Sequence, residues 1–122
     1  MKIILSDLTM TKVYSYKLIE DKTVINGYVS YDATSIASSD TARTFDYNIS
    51  LYKHVKIVAA AGANSAPYAR FVDSNGTLVG TKITYTKSGE TELAVPTGAV
   101  KIQVTDTYGS KSNQVSLYGK KA

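Results

Sequence analysis

Short runs of alternating polar and apolar residues recur along this chain and are separated by turn-forming residues. In the clearest run, residues 68–79, two apolar stretches flank Asp73-Ser74-Asn75-Gly76. Asn-Gly strongly favours a β-hairpin turn because both residues tolerate a positive φ, and the Asp73 and Ser74 side chains can bond the loop backbone. This stretch therefore predicts two strands joined by a tight turn.

The same two-residue period predicts strands along most of the chain. The predicted strands cover residues 3–5, 11–19, 23–31, 43–51, 54–61, 68–72, 77–86, 92–95, 99–105 and 114–118. In residues 99–105 we expect Ile102 and Val104 to face inward, and Gln103 and Thr105 to face outward.

Glycine and other small residues interrupt or separate the predicted strands. Gly27 lies inside a predicted strand and indicates a β-bulge or a close approach of two backbones. Residues 32–41 are mostly small and polar and are predicted to form a surface loop, and the small residues at 62–67 are predicted to form a second loop. Such loops often carry binding residues on β scaffolds, although residues 32–41 suit a plain solvated connection equally well.

These elements predict an all-β fold. No stretch has helical periodicity, and turns recur at the spacing typical of sandwiches and barrels. We therefore predict an antiparallel β-sandwich of jelly-roll type, in which two packed faces bury the apolar side of each strand. At 122 residues the chain is expected to form one domain, residues 1–122.

Composition argues against an enzyme. Cysteine is absent and His54 is the only histidine, which excludes disulfides, thiolate chemistry, cysteine zinc sites and multi-histidine metal sites. No phosphate-binding loop or nucleophile elbow is present. We predict no catalytic residue, no cofactor and no metal; calcium bound by Asp32, Asp40 and Asp46 is the less favoured alternative to solvated acids.

The distribution of charged and apolar residues argues against nucleic acid and membranes as partners. The net charge is +4, but the lysines are scattered and only two arginines occur, so we expect no nucleic acid ligand. The longest apolar run, residues 57–62, is too short to insert in a membrane. The apolar start at residues 3–5 is too short for a signal peptide, which predicts a protein made and left in the cytoplasm or exported within an assembly.

Ten tyrosines, against two phenylalanines and no tryptophan, are the most unusual feature of the composition. An aromatic face can stack on the apolar face of a sugar ring, whereas packing within the sheets is the alternative role for each tyrosine. The tyrosines considered for stacking are Tyr14, Tyr16, Tyr28, Tyr31 and Tyr47.

Residues 26–118 contain motifs in a recognisable order. The motifs are Asn26-Gly27-Tyr28-Val29-Ser30, Ile36-Ala37-Ser38-Ser39, Arg43-Thr44-Phe45-Asp46-Tyr47-Asn48-Ile49, Tyr68-Ala69-Arg70-Phe71-Val72-Asp73-Ser74-Asn75-Gly76 and Val95-Pro96-Thr97-Gly98-Ala99-Val100-Lys101-Ile102. This order resembles the carbohydrate-binding-module-like β-sandwich domains of phage tail, baseplate and other virion-surface proteins. The resemblance implies a module-like core at 26–118, preceded by extra strands in residues 1–25. It also points to a ligand site formed by Tyr28, Tyr31, Asp46, Tyr47 and Tyr68.

The resemblance implies a function on a phage particle. The leading hypothesis is a non-enzymatic auxiliary or decoration protein on the capsid surface, with weak glycan affinity as an added property. Its partners would be the major capsid protein or other virion proteins, with a homo-oligomer as an open arrangement. The alternative is a tail or baseplate adhesion module that binds host-surface carbohydrate, and it requires an exposed tyrosine platform near residues 32–41 and 62–67.

Overall fold

The structure is a computed structural model that describes residues 15–62 and 64–121. Ten β-strands are found in these residues. They are β1 (Lys17–Leu18), β2 (Lys22–Val29), β3 (Ile36–Asn48), β4 (His54–Ala59), β5 (Tyr68–Val72), β6 (Leu78–Thr84), β7 (Gly89–Ala94), β8 (Lys101–Tyr108), β9 (Lys111–Ser112) and β10 (Val115–Lys120).

The strands form two antiparallel sheets. The smaller sheet has the order β1-β10-β4-β7. The larger has the order β2-β3-β8-β5-β6, with β9 paired to the end of β8. The predicted all-β, antiparallel sandwich is confirmed, whereas its assignment to the jelly-roll type stays a prediction.

Alternating side chains from both sheets build the core between them. In β4 the buried positions alternate with half-buried ones, as the two-residue period predicts, and Val55 and Ile57 point inward. From the larger sheet Ile102 and Tyr47 enter the same cluster. Burying side chains of this size contributes about 1.5–3 kcal/mol each, so this cluster stabilises the packing of the two sheets.

Several predicted boundaries differ from the structure. Residues 36–41, expected in a surface loop, belong to β3. Residues 36–38 pair there with β2, and this backbone pairing outweighs the weak strand preference of small polar residues. Residue 26, expected to begin the module-like core, lies inside β2. The predicted strand at 3–5 and residues 11–14 of the one at 11–19 lie outside the described residues.

Gly27 marks a bulge where β2 and β3 change register. The Cα partners shift between Asn26 and Gly27, which confirms the predicted irregularity. A Cβ atom at Gly27 would collide with the backbone oxygen of Ala37 and with the Ile36 side chain. Only glycine allows the two backbones to approach this closely.

Beyond this bulge the end of the β2–β3 hairpin, residues 27–38, lies over the outer face of the larger sheet. We call it the hairpin tip. The Val29 N–H donates to Thr105 Oγ1 on β8 at 2.9 Å, and Arg70 Nη1 on β5 donates to the Ala33 carbonyl at 3.1 Å. The tip is therefore joined to strands that are distant in sequence.

The hairpin tip changes the environment of the outer face of β8. Ile102 and Val104 face the core as predicted, but Gln103 and Thr105 on the opposite face are 7 % and 0 % exposed. The prediction that these two face solvent was wrong, because the tip covers them. Gln103 Oε1 accepts a hydrogen bond from Arg70 Nε at 2.7 Å beneath this cover.

The β5–β6 hairpin is present where residues 68–79 predict it, with a different turn from the one that Asn-Gly favours. Gly76 donates to the Asp73 carbonyl at 3.0 Å and has a φ of 81°, while Asn75 keeps a negative φ. This is a type I turn followed by a left-handed residue. The Asp73 carboxylate accepts from the N–H groups of Asn75 and Thr77, as expected for an acid that closes its own turn.

Candidate functional site

Four tyrosines meet in one cleft on the outer side of the larger sheet. Tyr28 and Tyr31 come from the hairpin tip, Tyr68 begins β5, and Tyr108 ends β8. Val29 on the tip and Ser65 and Ala66 of the 62–67 loop complete the lining. The cleft has a volume of about 230 Å³.

The rings are arranged as two perpendicular pairs. The Tyr28 and Tyr108 rings lie 5.0 Å apart at 86°, and the Tyr31 and Tyr68 rings lie 6.3 Å apart at 90°. In such pairs the edge of one ring meets the face of the other, which is favourable because ring edges are positive and ring faces negative. The pairs hold each other in position before any ligand arrives.

Two of the four rings are well exposed. Tyr31 is 78 % exposed and Tyr108 is 39 % exposed, while Tyr28 and Tyr68 are half-buried. Tyr31 contributes little to the hydrophobic core at that exposure. An exposed aromatic side chain that lies beside three others is typical of a binding surface.

Local hydrogen bonds shape the hairpin tip that carries Tyr28 and Tyr31. Thr44 Oγ1 donates to the Gly27 carbonyl at 2.7 Å, at the base of the tip. At its end one oxygen of Asp32 accepts from Ser30 Oγ and from the N–H and hydroxyl of Thr34. The Thr34 hydroxyl bond is the main cause that lowers the pKa of Asp32, because these donors favour the carboxylate.

A buried polar network holds residues 64–67 on the other side of the cleft. Asn64 donates its N–H to Asn113 Oδ1 at 2.8 Å and its side-chain amide to the Asp106 carbonyl at 2.9 Å. Asn113 Nδ2 in turn donates to the Tyr85 hydroxyl at 3.0 Å. Burial raises the pKa of Tyr85 to about 12, which keeps its hydroxyl neutral and able to donate to the Thr105 carbonyl.

The structure brings together three of the five site residues expected from the sequence. Tyr28, Tyr31 and Tyr68 line the cleft. Tyr47 does not, because it is 1 % exposed in the core, where it packs against Phe45. Asp46 lies outside the cleft, and one of its carboxylate oxygens is 3.5 Å from Lys101 Nζ.

Tyr108 is the cleft residue that sequence reasoning missed. It lies beyond the strand predicted at 99–105, whereas β8 extends to Tyr108 and pairs there with Lys111 of β9. The abundance of tyrosine was the one sequence feature that pointed to it, and that feature does not distinguish Tyr108 from the core residue Tyr47. Proximity to Tyr28 follows only from the sheet pairing.

Among the residues that the structure describes, no group of three or more acidic or histidine side chains is placed to hold a metal. Asp32, Asp40 and Asp46 do not form one, so the calcium alternative lacks support from the geometry. The same residues include no helix long and apolar enough to cross a membrane.

Comparison with known protein families, with curated proteins and with solved structures finds no match to this chain. The resemblance to virion-surface modules stays a prediction. The cleft itself offers aromatic faces and phenol hydroxyls, with the hydroxyl of Ser65 on its wall. These groups suit binding of a ligand that has both apolar and hydroxylated surfaces.

Proposed function

We propose that this protein is a non-enzymatic saccharide-binding module and that the tyrosine cleft is its ligand site. The observation that carries the proposal is the convergence of Tyr28, Tyr31, Tyr68 and Tyr108 in one partly exposed cleft. A sugar ring has an apolar C–H face that stacks on an aromatic ring, and hydroxyl groups that exchange hydrogen bonds with phenols.

The volume of the cleft favours a small ligand or one small unit of a larger ligand. Its volume of about 230 Å³ is below the roughly 300–1,000 Å³ typical of sites for drug-sized ligands. One sugar ring, with its neighbours in the chain extending into solvent, suits such a space. The site would therefore bind the end or a single unit of a glycan rather than enclose a long segment.

The rigidity of the surroundings supports the same function. The hairpin tip and the 62–67 loop are both fixed by buried hydrogen bonds to β8. Side chains positioned before binding lose little conformational entropy when a ligand arrives. The alternative drawn from the sequence required an exposed tyrosine platform near these loops, and the cleft has that arrangement.

Tyr31→Ala is the direct test of the cleft. A glycan array identifies binding saccharides, and isothermal titration calorimetry then compares the wild type with Tyr31→Ala. We expect Tyr31→Ala to weaken binding at least 10-fold, equivalent to about 1.4 kcal/mol. Because Tyr31 is 78 % exposed, its loss should change the free energy of unfolding by less than about 0.5 kcal/mol.

Tyr118→Ala is the matched control, since Tyr118 lies on β10 in the smaller sheet. It should leave saccharide affinity unchanged. Equal affinities for wild type and Tyr31→Ala would show that the ligand binds elsewhere. The absence of any bound glycan would contradict the saccharide-binding proposal as a whole.

A virion surface is the setting that we propose for this binding, on the basis of the sequence resemblance. The geometry of the cleft favours an adhesion role on the tail or baseplate over a purely structural role on the capsid. Quantitative mass spectrometry of purified particles separates the two by copy number relative to the major capsid protein. Hundreds of copies would support capsid decoration, a few to some tens would support the tail, and none would refute the virion setting.

A further inference from the structure

Lys82, from β6, lies against the Tyr31 and Tyr68 rings of the cleft. Lys82 Nζ is 3.9 Å from the centre of the Tyr31 ring and 4.4 Å from the centre of the Tyr68 ring. The negative faces of the two rings attract its ammonium group. Lys82 is not among the residues that line the cleft, but its ammonium group is held against two of the rings that do.

No carboxylate among the described residues forms an ion pair with Lys82. The two ion pairs found there are Lys56 with Glu90 and Lys101 with Asp46. The acid next to Tyr31 in sequence, Asp32, instead uses one oxygen for three hydrogen bonds within its own turn. Within residues 15–62 and 64–121, the charge of Lys82 is thus not neutralised by an acid in an ion pair.

Ring faces satisfy the charge of an ammonium group only in part. A lysine has three N–H donors, and aromatic faces provide no lone-pair acceptor as strong as an anionic oxygen. Tyr31 is 78 % exposed with Lys82 against its ring, so much of its surface is available for stacking. One ligand that has both a sugar ring and an anionic oxygen would use both features at once.

From this geometry we propose that the ligand is an acidic saccharide, whose carboxylate or sulfate pairs with Lys82 while its ring stacks on the cleft tyrosines. The inference rests on the proposed function and names its ligand class. The backbone of Lys111 pairs with that of Tyr108 across β8 and β9, which places a second lysine next to this cleft residue in the sheet. The net charge of +4 favours approach of the same ligands.

The test compares each acidic saccharide with its own uncharged form. The probes are short oligomers of galacturonate, glucuronate and sialic acid, each as the free acid and as the methyl ester, together with sulfated disaccharides. The ester keeps the ring and the linkage but removes the charge. We expect the wild type to bind a free acid roughly 5- to 20-fold more tightly than its ester, with a difference that shrinks at high salt.

Lys82→Gln should remove that difference, so that a free acid and its ester bind this variant with equal affinity. Lys53→Gln, which removes an exposed lysine from the turn before β4, should keep the full preference. Preferential binding of sulfated rather than carboxylated probes, lost in Lys82→Gln, would support the inference and identify sulfate as the anion.

The two proposals fail in different ways. If acids and esters bind equally and Lys82→Gln has no effect, the acidic ligand class is overturned. A sensitivity to Tyr31→Ala in that case would leave the saccharide site standing. If neither charged nor neutral glycans bind the wild type, both proposals are overturned together.

Discussion

Replacement of Arg70 by methionine tests how the hairpin tip is attached to the sandwich. Arg70 is 5 % exposed, and its guanidinium joins the Gln103 side chain at 2.7 Å to the Ala33 carbonyl at 3.1 Å. Methionine keeps most of the apolar stem but removes both donors. We therefore expect Arg70→Met to destabilise the fold and to loosen the tip, residues 27–38, more than the sheets.

The magnitude follows from the two acceptors that lose their partners. Gln103 is 7 % exposed and Ala33 is 0 % exposed, so neither acceptor has ready access to water. Each unsatisfied buried acceptor costs about 1–3 kcal/mol. Removing the buried charge of Arg70 offsets part of this destabilisation. Burial disfavours the charged guanidinium and therefore lowers the pKa of Arg70. The expected net loss is about 2–4 kcal/mol.

Urea unfolding and hydrogen exchange measure the two parts of this prediction. A double-mutant cycle with Gln103→Leu should show a coupling energy of about 1 kcal/mol or more, because the double variant leaves no unpaired partner in that pair. Exchange should accelerate at the Val29 amide, whose N–H is bonded to Thr105 in the intact tip.

Arg43→Met is the matched control. Arg43 is half-buried, and its guanidinium donates to the carbonyls of Asp40 and Ala42, which are close in sequence. Its loss should cost less than about 1 kcal/mol and leave exchange at Val29 unchanged. If Arg70→Met is as mild as Arg43→Met and Val29 stays protected, then Arg70 does not hold the hairpin tip and the reasoning is refuted.

Two further predictions concern pH and the bulge. Since burial raises the pKa of Tyr85 from 10.0 to about 12, its contribution to stability should be constant below pH 10 and should fall by about 1.4 kcal/mol per pH unit up to pH 12, as the unfolded chain loses this proton first. Burial also raises the pKa of Tyr47, so both tyrosines make stability fall over this range. Urea unfolding at each pH should therefore show a slope that Tyr85→Phe reduces by about 1.4 kcal/mol per pH unit without abolishing it, whereas an unchanged slope would contradict the assignment. Gly27→Ala should destabilise by about 1–3 kcal/mol, because its Cβ would overlap the Ala37 carbonyl and the Ile36 side chain. Wild-type stability in Gly27→Ala would show that the two backbones can separate at the bulge.

The alternation of polar and apolar residues, together with the turn-forming residues, determined most of the secondary structure. Both are local properties of the sequence. In β4 Val55, Ile57 and Ala59 fall on one face, and the structure buries all three. The turn after β5 forms because the Asp73 side chain and Gly76 supply the bonds and the positive φ within a few residues. Neither feature depends on distant parts of the chain.

Burial on the outer face of β8 was decided by the tertiary structure. A two-residue period predicts that Gln103 and Thr105 are solvated, since it assumes that one face of the sheet meets water. The bulge at Gly27 instead allows residues 27–38 to lie over that face. The contact between Arg70 and Ala33 spans residues far apart in sequence, which no local pattern reports.

The sequence predicted part of the candidate site, and the tertiary structure decided the rest. The abundance of tyrosine pointed to aromatic binding, and three of the expected residues do line the cleft. Sequence alone did not separate Tyr47 in the core from Tyr31 in the cleft, because both lie in stretches of similar pattern. The inclusion of Tyr108 and the position of Lys82 depend on pairing between β8, β5 and β6. Strand order brings these side chains together, and strand order is set by packing of the whole chain rather than by any one segment.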